Sequence, residues 1–264
     1  MPRRSGVEPA RTAIIIPARL NSTRLPRKLL LRDTGKSIIR HTYESASQST
    51  LAQLVCVATD SEEIAQSVRD FGGNAVMTRS DHVCGSDRIA EVAESYPDLD
   101  IIVNVQGDEP EIAGQSIDQV ITLLGGDPAS VMSTLAAPIR SRERLCDPSC
   151  VKVTFNKAGH ALYFSRSPIP CAREWDDALL STVVPNFFQH IGIYAYRRDF
   201  LLTYRDLTRS PLEAIENLEQ LRVLYAGYHI TVGVTDRITR GIDTPEDYDN
   251  FVCRMKETAE DPTK

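Results

Sequence analysis

Four cations stand close together behind the first apolar run of the sequence. In AIIIPARLNSTRLPRKLL, residues 13–30, the strand-like AIIIP is followed by Arg19, Arg24, Arg27 and Lys28. Like charges this close repel one another, so a folded chain holds them most easily around something anionic. Guanidinium forks pair with phosphate oxygens in bidentate fashion, and an ammonium adds a point charge. A solvated basic loop is the alternative for any one of these residues; four of them directly after a strand point to an anion site. Two better-known phosphate motifs do not fit. A dinucleotide fold would place GxGxxG after the first strand, where PARLNS stands without glycine. GKS at 35–37 imitates the end of a P-loop, but the glycine required five residues earlier is Leu30.

The elements that must carry this loop alternate along the chain. Strand-like AIIIP, LVCVATD (54–60), AVMT (75–78), DIIVNVQGD (100–108) and Val131 to Ala137 are separated by helical patterns in SIIRHTYESASQS, SEEIAQSVRDFGG, Ser86 to Tyr96 and Ser116 to Leu124. This predicts an α/β fold, a Rossmann-like, mostly parallel sheet flanked by helices. Ligands of such sheets bind beyond the carboxyl ends of the strands, which makes the segments ending at Arg19, Asp60 and Asp108 candidates for a site. From 139 to 205 the texture changes to VKVTFN, ALYFSR and HIGIYAY between proline-containing and charged loops, read as a smaller added sheet region and a dimerisation surface. SPLEAIENLEQLRVLYAG then predicts one helix with Ile215, Leu218, Leu221 and Tyr225 in a stripe. HITVGVTD reads as a strand, and a last helix starts at Thr244, with Thr244 as N-cap, Pro245 at the first position and Asp247 completing the cap. Residues 12–258 form one domain in this reading, with 1–11 and 259–264 as flexible tails.

Composition narrows the class. The chain has 264 residues, 42% hydrophobic and 25% charged, enough for an enzyme-sized core. Its net charge of −6 argues against a nucleic-acid or anionic-membrane partner. Within that acidic total, the first 32 residues hold eight Lys/Arg against one acid, Glu8, so the basic loop is local. No apolar run is long enough for a signal-peptide core or a membrane span. The six cysteines are scattered, with only Cys146 and Cys150 close neighbours, which suits free thiols in a cytoplasmic protein better than zinc.

IPARLNSTRLPRKLL resembles the signature loop of sugar nucleotidyltransferases, specifically the 3-deoxy-D-manno-octulosonate (Kdo) cytidylyltransferases. The resemblance continues in order through MTRSDHVCGSDRIAEV (77–92), IIVNVQGDEPEI (101–112), ALYFSRSPIP (161–170), HIGIYAYR (190–197), SPLEAIENLEQLRVL (210–224) and GIDTPEDY (241–248). It implies transfer of CMP from CTP to an acidic eight-carbon sugar, release of pyrophosphate, a requirement for Mg²⁺ and a homodimer. By this resemblance Pro17, Ala18, Arg19, Arg24 and Lys28 bind the nucleotide, Arg19 and Lys28 holding the CTP phosphates with Arg24 in support, and Arg19 and Lys28 take part in catalysis with Asp108 and Asp243, the metal-binding carboxylates. Arg79, His82, Cys84, Gly85, Ser86, Asp87 and Arg88 form the block that reads the cytidine. Gln106, Arg166, His190, Tyr194, Glu219 and Gln220 surround the sugar. The bland readings are helix capping for Ser86 and Asp87, a core histidine for His190, and solvent-facing positions for Glu219 and Gln220.

Two departures from the family pattern stand out. Cys84 replaces a serine, a stronger hydrogen-bond donor, and DRITR, with Arg237 and Arg240, replaces a proline-glycine turn before Gly241. The alternatives are the same reaction on another acidic sugar or a non-catalytic nucleotide-binding homologue. A glycosyltransferase with a DxD metal motif is disfavoured, because GDEPE lacks that spacing at Asp108.

Overall fold

The sequence alternation becomes a sheet layered by helices. The computed structural model describes residues 10–260 apart from Thr23 and Val83. Strands and helices alternate as β1 (Thr12–Ala18), α1 (Ile38–Ala46), β2 (Leu54–Thr59), α2 (Glu62–Asp70), β3 (Ala75–Met77), α3 (Gly85–Glu94), β4 (Ile101–Asn104), α4 (Gly114–Gly126) and β5 (Ser130–Pro138). There follow α5 (Arg142–Cys146), β6 (Lys152–Phe155), β7 (Ala161–Ser165), β8 (Phe188–Arg197), α6 (Arg198–Tyr204), α7 (Pro211–Glu216), α8 (Gln220–Tyr225), β9 (His229–Val234) and α9 (Pro245–Glu260). The tails expected at the two ends lie for the most part outside the described residues.

The strands run in the order β3-β2-β1-β4-β8-β5-β9. β1 pairs in parallel with both β2 and β4, so the chain leaves β1 toward one edge and returns on its other side. The crevice beyond the carboxyl ends of β1 and β4 is therefore the topological switch point, where such sheets bind ligands.

Period-two alternation sorts the apolar residues between two cores. From β1, Ile14, Ile16 and Ala18 pack with α1, α2, α4 and α9, while Ala13 and Ile15 pack with α3, α6 and α8. β4 does the same with Ile101 and Val103 against Ile102. That alternation places Asn104, and Gln106 two residues on, on the side of α3 and α6.

Two expectations need correction. The segment HIGIYAY does not belong to an added sheet. It lies in β8, a central strand antiparallel to both β4 and β5; only β6 and β7 form a side hairpin, joined to β8 at Lys152 and Gln189. The sequence 210–227 is also not one helix. Asn217 takes φ 52°, ψ 50°, a left-handed conformation that ends α7 and redirects the chain into α8. The anticipated stripe is split by that turn: Leu218 and Leu221 are buried, whereas Ile215 and Tyr225 are exposed.

Candidate active site

Two backbone contacts assemble the first half of the site. A Cβ on Gly107 would stand 3.1 Å from the Pro17 carbonyl oxygen, a tight contact that glycine avoids where the turn after β4 passes the end of β1. The Ile242 amide donates to the Asp108 carbonyl at 2.9 Å, which brings the loop before α9 against the end of β4. Asp243 thereby comes beside Asp108. The start of α9 is capped as expected: Thr244 Oγ1 accepts from the Asp247 amide at 3.2 Å, and Asp247 Oδ2 accepts from the Asp243 and Thr244 amides. The Asp243 side chain is left for another partner.

That partner is Lys28. Its Nζ lies 2.6 Å from Asp108 Oδ2 and 3.3 Å from Asp243 Oδ1, with the lysine side chain only 10% exposed. Arg24 also reaches Asp243 Oδ1, at 2.9 Å. Arg19 is tethered differently, donating to the His82 carbonyl at 2.8 Å. Arg19, Arg24, Lys28, Asp108 and Asp243 line one cavity of about 360 Å³ together with Pro17. Asn21 and Ser22, which sequence reasoning missed, line it too. Ala18 contributes no side chain, being buried in the core. Arg27 turns away and pairs with Glu63, so three of the four loop cations meet at the site.

The fit to a divalent cation follows from this geometry. Two carboxylates converge on one point, and an ammonium stands there. Hard oxygen donors of this kind suit Mg²⁺, which takes one or two carboxylates from a protein and completes its shell with phosphate and water. Behind them, burial and then the Asp108 charge push the Glu109 carboxyl up to about 7. The acidic turn at 108–111 is thus not simply solvated: Glu109 Oε2 is buried without a partner, and Glu111 pairs with Arg254.

The second half is a polar cavity of about 460 Å³, floored by β4 and β8 and walled by α3, α6 and α8. Gln106, Arg166, His190, Tyr194, Glu219 and Gln220, all six of the expected sugar contacts, line it. Asn104, Tyr196, Tyr204 and Asn217, which the sequence reading passed over, line it as well. Gln220 is 5% exposed and therefore does not face bulk solvent.

His190 is held in one protonation state. Its Nε2 is 2.9 Å from Thr134 Oγ1, whose hydroxyl donates to the carbonyls of Ile193 and Ile191 at 2.8 and 3.1 Å. With its proton committed to these carbonyls, the hydroxyl accepts from Nε2–H, which leaves Nδ1 as an acceptor. Burial pulls the imidazole pKa down to about 3, keeping it neutral. Arg166 is anchored by its guanidinium to the carbonyls of Glu216, Pro148 and Asn217.

The expected cytidine block is divided among several places. Arg88 is fully buried and donates to Thr78 and Asp60, so it orders the ends of β2 and β3 and lies behind the surface. His82 is also buried, its ring against Glu91, which in addition accepts from the Arg79 amide. Arg79 reaches out to Asp81. Ser86 belongs to the polar cavity, where it donates to Glu219 Oε2 at 3.1 Å; it does not cap α3. Cys84 and Asp87 line a separate cavity with Arg222, and burial raises the Cys84 thiol to about 12. Gly85 lines both the basic and the polar cavity.

Among the described residues no helix is long and apolar enough to cross a membrane. All six cysteines are free. A family model of cytidylyltransferases matches residues 13–232. A 3-deoxy-manno-octulosonate cytidylyltransferase of Rhodopirellula baltica is 48% identical, over 92% of this chain and 98% of its own length. One from Syntrophotalea carbinolica is 49% identical, over 88% and 94%. The fold superposes with a TM-score of 0.87 and 41% identity on a CMP:2-keto-3-deoxy-manno-octonic acid synthetase complexed with CTP, covering 94% of this chain and 99% of that one. A 4-diphosphocytidyl-2C-methyl-D-erythritol synthase from Anaerococcus prevotii shares the fold alone, with a TM-score of 0.62 at 12% identity.

Proposed function

This chain belongs to the cytidylyltransferase family, and from that membership we propose that it transfers the cytidylyl group of CTP to 3-deoxy-D-manno-octulosonate, releasing pyrophosphate. One observation carries the reading. The basic cavity and the polar cavity meet, sharing Gln106 and Gly85. A triphosphate gripped in the first is then presented to a sugar hydroxyl held in the second.

The chemistry asked of the protein is positioning and charge neutralisation. Arg19, Arg24 and Lys28 bind the triphosphate and offset the charge that gathers on the departing pyrophosphate. Asp108 and Asp243 would hold Mg²⁺, which when bound neutralises phosphate charge and lowers the pKa of a nearby hydroxyl. His190 Nδ1 accepts a sugar hydroxyl, and Gln220 and Tyr194 supply further polar contacts. Arg166 retains donor capacity beyond its backbone anchors for the sugar carboxylate. The α-phosphorus is attacked in line with the leaving group, so the junction at Gln106 is where the reacting atoms meet.

We also infer a homodimer. Leu162 on the hairpin of β6 and β7, and Val183, Val184 and Ile215, stand 61%, 97%, 76% and 82% exposed, which favours burial against a second copy. A cytoplasmic setting suits six free thiols. The test is pyrophosphate release with Mg²⁺ and each of CTP, UTP, GTP and ATP, with and without Kdo. Release only with CTP plus Kdo is the expected result. Release without the sugar, or without preference for CTP, rejects the reading.

A further inference from the structure

The polar cavity holds one polar atom that the fold leaves unmatched. Ser86 Oγ donates to Glu219 Oε2 at 3.1 Å, so that pair is satisfied within the protein. Asn104 and Tyr196 line the same cavity.

Asn104 Oδ1 is buried and takes no hydrogen bond, although the residue lines the cavity. A buried amide oxygen without a donor costs stability unless a ligand or water supplies one. Tyr194 is its partner across the sheet, and Gln106 follows two residues on, so the orphan oxygen sits beside groups already assigned to the sugar.

We propose that Asn104 is a further sugar-recognition residue: its Oδ1 accepts a hydroxyl hydrogen of the acceptor sugar at the floor of the cavity. The inference rests on the sugar transfer proposed above. It selects a polyol that presents a hydroxyl at this depth and rejects one that has lost it.

The test is steady-state pyrophosphate release with CTP and either Kdo or each of its single-deoxy analogues, for the parent enzyme, Asn104→Ala and Asn104→Leu, with CTP binding by calorimetry as a check of folding. One analogue should be used roughly ten- to a hundredfold less well than Kdo by the parent. In Asn104→Ala that penalty disappears, the KM for Kdo rises about tenfold or more, and the KM for CTP stays within about threefold. Asn104→Leu, of nearly the same shape but without an acceptor, loses the same analogue's penalty. If Asn104→Ala does not fold, as shown by lost CTP binding, Asn104→Leu decides on that penalty alone. Turnover of Kdo by the parent with every penalty unchanged in the folded variants overturns the inference and leaves the sugar transfer standing. No turnover of Kdo by the parent overturns both.

Discussion

Ile242 donates its backbone amide to the carbonyl of Asp108 at 2.9 Å, and this bond between residues 134 positions apart is what makes one site of two carboxylates. Asp108 sits in the turn after β4, Asp243 just before α9, and the cation of Lys28 lies between them.

Replacing Asp108 by Asn keeps the shape and removes one of the two charges. Turnover at saturating CTP and Mg²⁺ should fall by roughly 10²–10³, the scale for loss of one preorganised charge-stabilising group. Measured kcat within tenfold of the parent would reject the role of Asp108 in holding the metal.

Lys28→Met should expose the repulsion that the ammonium now hides. Asp108 and Asp243 are 29% and 51% exposed, so the cost is on the order of 1–3 kcal/mol, below that of a fully buried pair. Mg²⁺ can replace the missing charge. In thermal unfolding, added Mg²⁺ should therefore raise the melting temperature of Lys28→Met more than that of the parent. Equal shifts in the two proteins would argue that the carboxylates do not share a cation.

The order of the elements and the basic loop were legible because they rest on local rules: period-two alternation in β1, helical spacing in α2, and a capping pattern at Thr244. What stayed hidden depends on contacts between distant segments. Nothing local tells that HIGIYAY enters the centre of the sheet, because an antiparallel central strand reads like an edge piece. The turn at Asn217 looks like helix until its left-handed backbone is seen. Arg88 carries a charge that suggests a ligand, yet its two terminal nitrogens are held by Thr78 and Asp60 below the surface. Asn104 had a readable signal, since a polar residue two positions before Gln106 must share its face.

His190 gives a pH dependence whose sign can be worked out. Its folded pKa of about 3 lies below the ordinary value of 6.5. Between those limits the unfolded chain binds a proton that the folded protein refuses, so stability is lost as pH falls from 6.5 toward 3. At pH 5 one such group accounts for up to about 2 kcal/mol. Urea unfolding at pH 7.5 and 5.0 should show the parent losing more stability than His190→Gln. An equal loss in both would mean that the imidazole is protonated in the folded state.

Lys152 presents the opposite case, a charge that the fold buries and keeps. The residue is 0% exposed, and its three ammonium hydrogens are matched by three carbonyls, those of Asp147 and Cys150 at 2.9 and 2.6 Å and that of Arg166. The lysine thus ties the loop before β6 to the end of β7, and Arg166 closes the same junction with its own bond to Pro148. Lys152→Met would leave the carbonyls of Cys150 and Arg166 unpaired, while that of Asp147 keeps its bond from the Cys150 amide, a loss on the order of 3–5 kcal/mol. Arginine should not rescue it, because a planar fork does not fit a cage built for a compact ammonium. Since Arg166 also lines the polar cavity, the folded fraction of Lys152→Met should show a raised KM for the sugar with the KM for CTP nearly unchanged. Denaturation midpoints and the two KM values measure this directly. Equal shifts in both KM values would reduce Lys152 to a general support of the fold, and an unchanged midpoint would show that its three bonds contribute nothing net.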